Sequence, residues 1–285
     1  MPDEGFAGLR VLTLESRRAQ EMAKLIANSG GEPVVAPSMR EVPLDSNTQA
    51  LQFAGELIGG HLDIVIFLTG VGTRALTRVV ETLHPREKFI AALSRVAVVA
   101  RGPKPVAALR EMGVPITLMI PEPNTWREVL HELDQAKLLQ TRGRRVAVQE
   151  YGVPNPELIT GLTERGATVT SVPVYEWMPP EDTGPLRAAI AALGRNEIDV
   201  ALFTSSAQLR HLLQVADEMG AKDTVLRALS KVLVVSIGPI TTEELQKNGI
   251  AVDLEPSHPK MGFLVKEAAE KSQALLQQKR SRTSI

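Results

Sequence analysis

Cysteine is absent from the 285-residue sequence. That excludes disulfides, thiolate nucleophiles and cysteine-held zinc or iron–sulfur sites, and it suits a reducing compartment. Surplus charge is missing too: 32 basic residues stand against 33 acidic ones, a net charge of -1. A chain-wide role on nucleic acid or on a membrane surface is therefore disfavoured, because such partners demand a basic excess. Any anionic ligand has to be held by local groups. There is no run of the roughly 18–20 apolar residues that spanning a bilayer requires. The opening residues, "MPDEGFAGLRVL", carry acids early and no long apolar stretch, so they do not read as a secretory signal. A soluble, cytoplasmic protein is expected. Aromatic residues make up only 4%, with tyrosine at Tyr151 and Tyr175 alone. The five histidines, at 61, 84, 131, 211 and 258, show no metal-ligand spacing.

What the chain does have is a core and a rhythm. Hydrophobic residues reach 44% and the mean hydropathy is -0.01, enough for one long or two ordinary domains. Short Val/Ile/Leu runs alternate with helical stretches: "RVLTLES" before "RRAQEMAKLIANSGG", "DIVIFLTG" before "VGTRALTRVVETL", "KVLVVSIG" before "PITTEELQKNG". Apolar runs without polar alternation suit strands covered on both faces, as in a parallel sheet. Gly113, Gly166 and Gly249 stand where helices should end. The class is α/β.

The rhythm is also a repeat. Residues 63–113 lie on 199–249 without a gap at an offset of 136, and fifteen of the 51 positions are identical. Among them are Asp63/Asp199, Phe67/Phe203, Arg74/Arg210, the run Ala92-Leu93-Ser94 on Ala228-Leu229-Ser230, and Gly102-Pro103 on Gly238-Pro239. "GLRVLTLE" at the N-terminus lies on "GRRVAVQE" at an offset of 135. The proline-flanked segments "APSMREVPLD" (36–45) and "VPVYEWMPPE" (from 172) are equivalent in this scheme. Two such extended segments could cross between two domains and leave Tyr175 near the hinge of a cleft. Pro179 and Pro180 lack backbone donors and end strand pairing there.

At these residues the chain resembles the uroporphyrinogen-III synthase family, over nearly its whole length. "ALFTSSAQLRHLL", "VVSIGPITTEELQKNGI" and the tyrosine after "SVPV" carry the resemblance through their order and spacing. It departs after the first strand, where many members have Thr-Arg-Pro and this chain has Glu15-Ser16-Arg17. The resemblance implies two doubly wound parallel-sheet domains joined by a two-stranded linker. Residues 1–37 with 174–285 would form one domain and 38–173 the other, with linkers near 36–45 and 173–181. It implies that the substrate is hydroxymethylbilane, a linear tetrapyrrole that loses water and closes with ring D inverted. It implies no cofactor and no metal, and a monomer; besides the bilane, a transient contact with the preceding pathway enzyme is the partner expected.

Such a site must grip carboxylates and assist hydroxide departure. The loops "FLTGVGTRAL", "VARGPKPVAAL" and "VSIGPITTEEL" pass from strand through glycine into helix, where N–H groups and the helix dipole attract anions. Candidate contacts there are Thr69, Gly70, Gly72, Arg101, Gly102 and Gly238, with Arg17, Arg18, Arg74 and Lys104 as further cations. Ordinary capping is the competing reading: Pro103 and Pro239 suit a first helical turn, and Thr241 with Glu244 reads as a capping box. No loop has a full nucleotide-binding pattern. Thr204, Ser205 and Ser206 end a strand and either cap the next helix or bind carboxylates. His211 reads as exposed or packed, and Tyr151 as a packed rim residue or a contact. From the residues alone Tyr175 reads as hinge packing; the resemblance makes it the general acid, a phenol still protonated at neutral pH. The resemblance gives Thr241 a secondary binding role. The tail "QQKRSRTSI" is expected to fray. A sensor or carrier of a carboxylated ligand on the same fold is the alternative. A transcriptional partner would need an appended DNA-binding module, for which the sequence after the last helical stretch leaves no room.

Overall fold

The computed structural model describes residues 5–43, 47–150, 152 and 155–283. Two compact units emerge, one from residues up to Arg40 together with those from Met178 onward, the other from Glu41 to Trp177. Tyr151 lies outside the described residues.

The first unit holds a parallel four-stranded sheet. Its strands are β1 (Arg10–Thr13), β2 (Glu32–Val35), β10 (Val200–Phe203) and β11 (Leu233–Ser236), in the spatial order β11-β10-β1-β2. The chain enters the second unit through β3 (Arg40–Pro43) and leaves it through β9 (Tyr175–Met178), and these two strands pair. The second unit's parallel sheet is built from β4 (Ile64–Phe67), β5 (Ala97–Ala100), β6 (Leu118–Met119), β7 (Arg145–Gln149) and β8 (Thr168–Val172). Its order is β6-β5-β4-β7-β8.

Helices cover both faces of each sheet, which is why the strands read as unbroken apolar runs. In the first unit α1 (Ala19–Asn28) and α12 (Met261–Thr283) pack Met22, Ile26, Leu264 and Ala268 against Val11, Leu202 and Val235. The other face takes α8 (Gly184–Gly194), α9 (Ser206–Glu218), α10 (Lys222–Leu229) and α11 (Pro239–Lys247), with Leu212 and Leu229 against Leu12, Phe203 and Val234. In the second unit α2 (Thr48–Ile58), α3 (Gly70–Glu81), α4 (Arg86–Leu93) and α5 (Pro103–Glu111) bury Phe53, Leu76 and Phe89 on Val65 and Phe67. There α6 (Trp126–Gln135) and α7 (Pro156–Glu164) bury Leu133 and Leu162 on Ile64 and Ile66.

The strand order reverses direction once in each sheet. In the first unit β1 leads outward to β2 while β10 leads the other way to β11, so the switch point falls between β1 and β10. In the second it falls between β4, which leads to β5, and β7, which leads to β8. In open α/β sheets ligands bind in the crevice beyond the strand ends at such points.

The repeat is visible in the strand starts. Asp63 accepts from the Arg145 amide at 2.8 Å and Asp199 from the Arg10 amide at 3.0 Å, each across the switch-point pair. Gly113, Gly166 and Gly249 adopt φ of 72°, 81° and 73° just past their helices, the left-handed geometry that favours glycine.

Two expectations are corrected. The tail is helical as far as Thr283, where α12 ends: Lys279 donates to Asp253 at 2.6 Å and to the Val232 carbonyl at 2.7 Å, and Arg280 donates to Asp199 at 2.7 Å. Those basic residues neutralise acids at the strand starts, which a reading of the tail alone could not reveal. Thr241 and Glu244 form no capping box, because α11 begins earlier, at Pro239 behind Gly238, and Thr241 is already inside it. Proline's fixed φ sets that start.

Candidate functional site

The second unit's crevice is lined by the end of β4 and the end of β7. Thr69 caps α3, its hydroxyl accepting from the Gly72 amide at 3.0 Å. Its own amide donates across the switch point to the Gln149 side chain at 3.4 Å. Tyr175 arrives from β9 with its ring in the core, 3% exposed, edge-on to Trp177 at 5.6 Å. Its phenol oxygen lies 3.2 Å from the Thr69 hydroxyl, and either can donate. The two readings of this tyrosine are therefore compatible: the ring packs, and the one polar atom meets the half-buried residue at the crevice. Glu150 follows Gln149, is 6% exposed, and bonds Ser171 of β8. Burial pushes its carboxyl above the ordinary value of 4.5, against the smaller pull of the Ser171 hydrogen bond.

The glycines here answer to packing. A Cβ on Gly72 would overlap the Gln149 amide, and one on Gly70 would overlap the Lys104 carbonyl of the neighbouring helix end. Gly102 has φ 87°, which side chains rarely tolerate. Arg101 donates to the Leu68 carbonyl at 3.2 Å. Arg74 makes a forked pair with Glu111, the shortest contact 2.8 Å, and that guanidinium keeps the Glu111 carboxyl below its usual range.

The first unit's crevice is lined by the ends of β1 and β10. Thr204 donates its hydroxyl to Glu15 at 2.7 Å, accepts from the Gln208 amide at 2.7 Å, and donates its backbone N–H to Gln208 at 2.8 Å. Ser205 caps α9, accepting from the Ala207 amide at 3.3 Å, and Ser206 opens that helix, half-buried. At the end of β11, Gly238 is fully extended with φ 165°, and a Cβ there would come no nearer than 3.7 Å to Pro259. Neither backbone nor room in this unit demands glycine at 238. Thr241 is 4% exposed, and Arg17 is exposed on the loop after β1. His211 is packed, at 8% exposure.

So Tyr175, Thr69, Gly70, Gly72, Arg101 and Gly102 gather in one unit, and Arg17, Thr204, Ser205, Ser206, Gly238 and Thr241 in the other. Sequence reasoning missed Gln149 and Gln208 altogether. Their signal is in the repeat itself, where Gln208 lies on Gly72 and Gln149 on Leu14.

A family model described as uroporphyrinogen-III synthase HemD matches residues 20–266. The chain belongs to the uroporphyrinogen-III synthase family. A crystal structure of a mutant uroporphyrinogen III synthase from the extreme thermophile Thermus thermophilus superposes with a TM-score of 0.72 at 26% identity, covering 95% of this chain and 100% of that one. The wild-type Thermus enzyme in another crystal form gives 0.56 at 25% identity, covering 96% and 100%. Among curated proteins, the uncharacterized protein YjjA of Bacillus subtilis is 29% identical over 275 residues, 94% of this chain and 97% of that protein. Like other members of the family, the chain has two domains of mixed α/β architecture built on parallel sheets. Among the described residues, no helix is long and apolar enough to cross a membrane.

Proposed function

We propose that the chain is an active uroporphyrinogen-III synthase, a cyclising lyase of the cytoplasm that acts as a monomer on hydroxymethylbilane. The observation that carries the reading is the Tyr175 phenol, 3.2 Å from Thr69 at the second unit's switch point. Departure of hydroxide breaks the C–O bond of the ring A hydroxymethyl group, and the electron pair leaves with the oxygen. The Tyr175 proton converts that hydroxide to water, directly or through the Thr69 hydroxyl. The proton released when the last pyrrole regains its aromaticity restores the phenol, so water is the net loss. Burial of the ring against Trp177 fixes where the phenol stands. Each unit offers its own groups to the substrate carboxylates: Arg101 and the loop at Gly102 in the second, and Arg17, Ser205, Ser206 and the loop at Gly238 in the first.

The test is incubation with hydroxymethylbilane and chromatographic separation of the products. The type III isomer is expected; type I alone, which forms spontaneously, would replace the enzyme with a carrier of carboxylated ligands.

A further inference from the structure

Between the ends of β1 and β10 the first unit sets an acid, the wrong charge for a substrate carboxylate at that point. Glu15 stands one residue beyond Leu14 at the end of the central strand, half-buried, and spans the switch point to Thr204. The Thr204 hydroxyl proton is committed to Glu15, and its N–H to Gln208. It offers no donor to an incoming acid. What this pair leaves to a ligand is the Glu15 carboxylate. A carboxylate has about four acceptor positions; one oxygen takes the Thr204 hydroxyl and the other the Arg18 amide, at 3.2 Å. Arg18 does not neutralise it, since its guanidinium is paired with Glu21.

The bilane has eight acids but also a row of pyrrole N–H donors, and these, with the single hydroxymethyl O–H, are its groups that a carboxylate can hold. We propose that Glu15 is the acceptor for the pyrrole N–H groups, gripping the bilane by its backbone and leaving the acid side chains to the other groups named above. This rests on the bilane reading above. The competing account is that Glu15 only staples the loop before α1 through Arg18. A staple would not sense the number of N–H groups on a ligand.

That difference sets the experiment. Uroporphyrinogen III and uroporphyrin III carry the same eight carboxylates, but the first has four pyrrole N–H groups and the second two, turned into a flat ring. Their binding to the full chain and to Glu15→Gln is measured anaerobically by calorimetry. Glutamine keeps an acceptor for the loop and removes the charge. The wild-type protein is expected to prefer the porphyrinogen. Glu15→Gln should weaken the porphyrinogen about tenfold, as expected for losing a charge-assisted bond, and change the porphyrin by less than about twofold. Equal weakening of both ligands, or of neither, would overturn the proposal. So would a wild-type protein that binds the two equally, whatever the variant does or whether it folds. A wild-type protein that prefers the porphyrinogen yet makes no type III isomer would leave this inference standing and remove the proposed activity.

Discussion

The two units solve one problem with the same parts in exchanged positions. Each needs a side-chain amide at its switch point to receive the N–H at the end of a central strand. In the second unit the amide comes from the strand, as Gln149, and the helix position beside it is Gly72. In the first it comes from the helix, as Gln208, and the strand position is Leu14. The acids are exchanged in the same way. Glu15 and Glu150 are equivalent in the repeat, but Glu15 faces Thr204, where the second unit has Leu68. Glu150 bonds Ser171, where the first unit has Val35. One carboxylate is thereby kept at the crevice and the other is buried. Duplication fixed the frame, and a few paired changes gave one unit a phenol and the other an acid.

The largest effect should come from the group that one unit has and the other lacks. Tyr175→Phe keeps the ring against Trp177 and removes only the donor. Stability should change by no more than about 1–2 kcal/mol, the worth of one buried hydrogen bond. Turnover of hydroxymethylbilane should fall about 10²-fold if general acid catalysis is lost, with the product still type III. Wild-type turnover in this variant, or a loss matched by unfolding in a thermal melt, would reduce Tyr175 to packing.

The exchange of amides can be tested by transplanting it. Gly72→Gln alone forces a side chain into the space of the Gln149 amide and should cost about 1–3 kcal/mol, as overpacking does. Adding Gln149→Leu recreates the first unit's arrangement in the second. The pair should recover at least half the loss, a coupling within the roughly 0.5–3 kcal/mol seen for contacting residues. Denaturant midpoints of the two single variants, the double variant and the wild type give that coupling directly. Strict additivity would mean that the exchange is coincidence.

Much of this frame was legible in the sequence, because it rests on local signals. Unbroken apolar runs marked β4, β5, β10 and β11, glycines marked the helix ends, and the offsets of 135 and 136 set matching elements against each other. What could not be read were choices made across the sheet. The Gln149 amide meets a residue 80 positions earlier, and Glu15 meets one 189 positions later. No periodicity announces which of two strand-end side chains will span a crevice. The tail was misread for the same reason, since Lys279 and Arg280 are ordered by acids at Asp253 and Asp199 that lie far back in the chain. The glycines of the candidate loops show the limit most plainly: Gly70 and Gly72 read as room for a ligand, and the structure fills that room with protein.

The smallest effect is a pH dependence that Glu150 brings. Burial raises the Glu150 carboxyl above 4.5, the value it returns to when the chain unfolds. As pH rises past 4.5 the unfolded chain gives up this proton first while the folded chain still holds it. The native state then binds more protons, and its stability falls through that window until Glu150 has ionised in both states. Glu150→Gln has no such window. Its melting temperature should match that of the wild type at about pH 4 and exceed it at about pH 8. A Glu150→Gln protein that is less stable at about pH 8 would mean that the ionised carboxylate is being held by groups around Ser171, and the buried acid would then have a structural task that its partner in the repeat lacks.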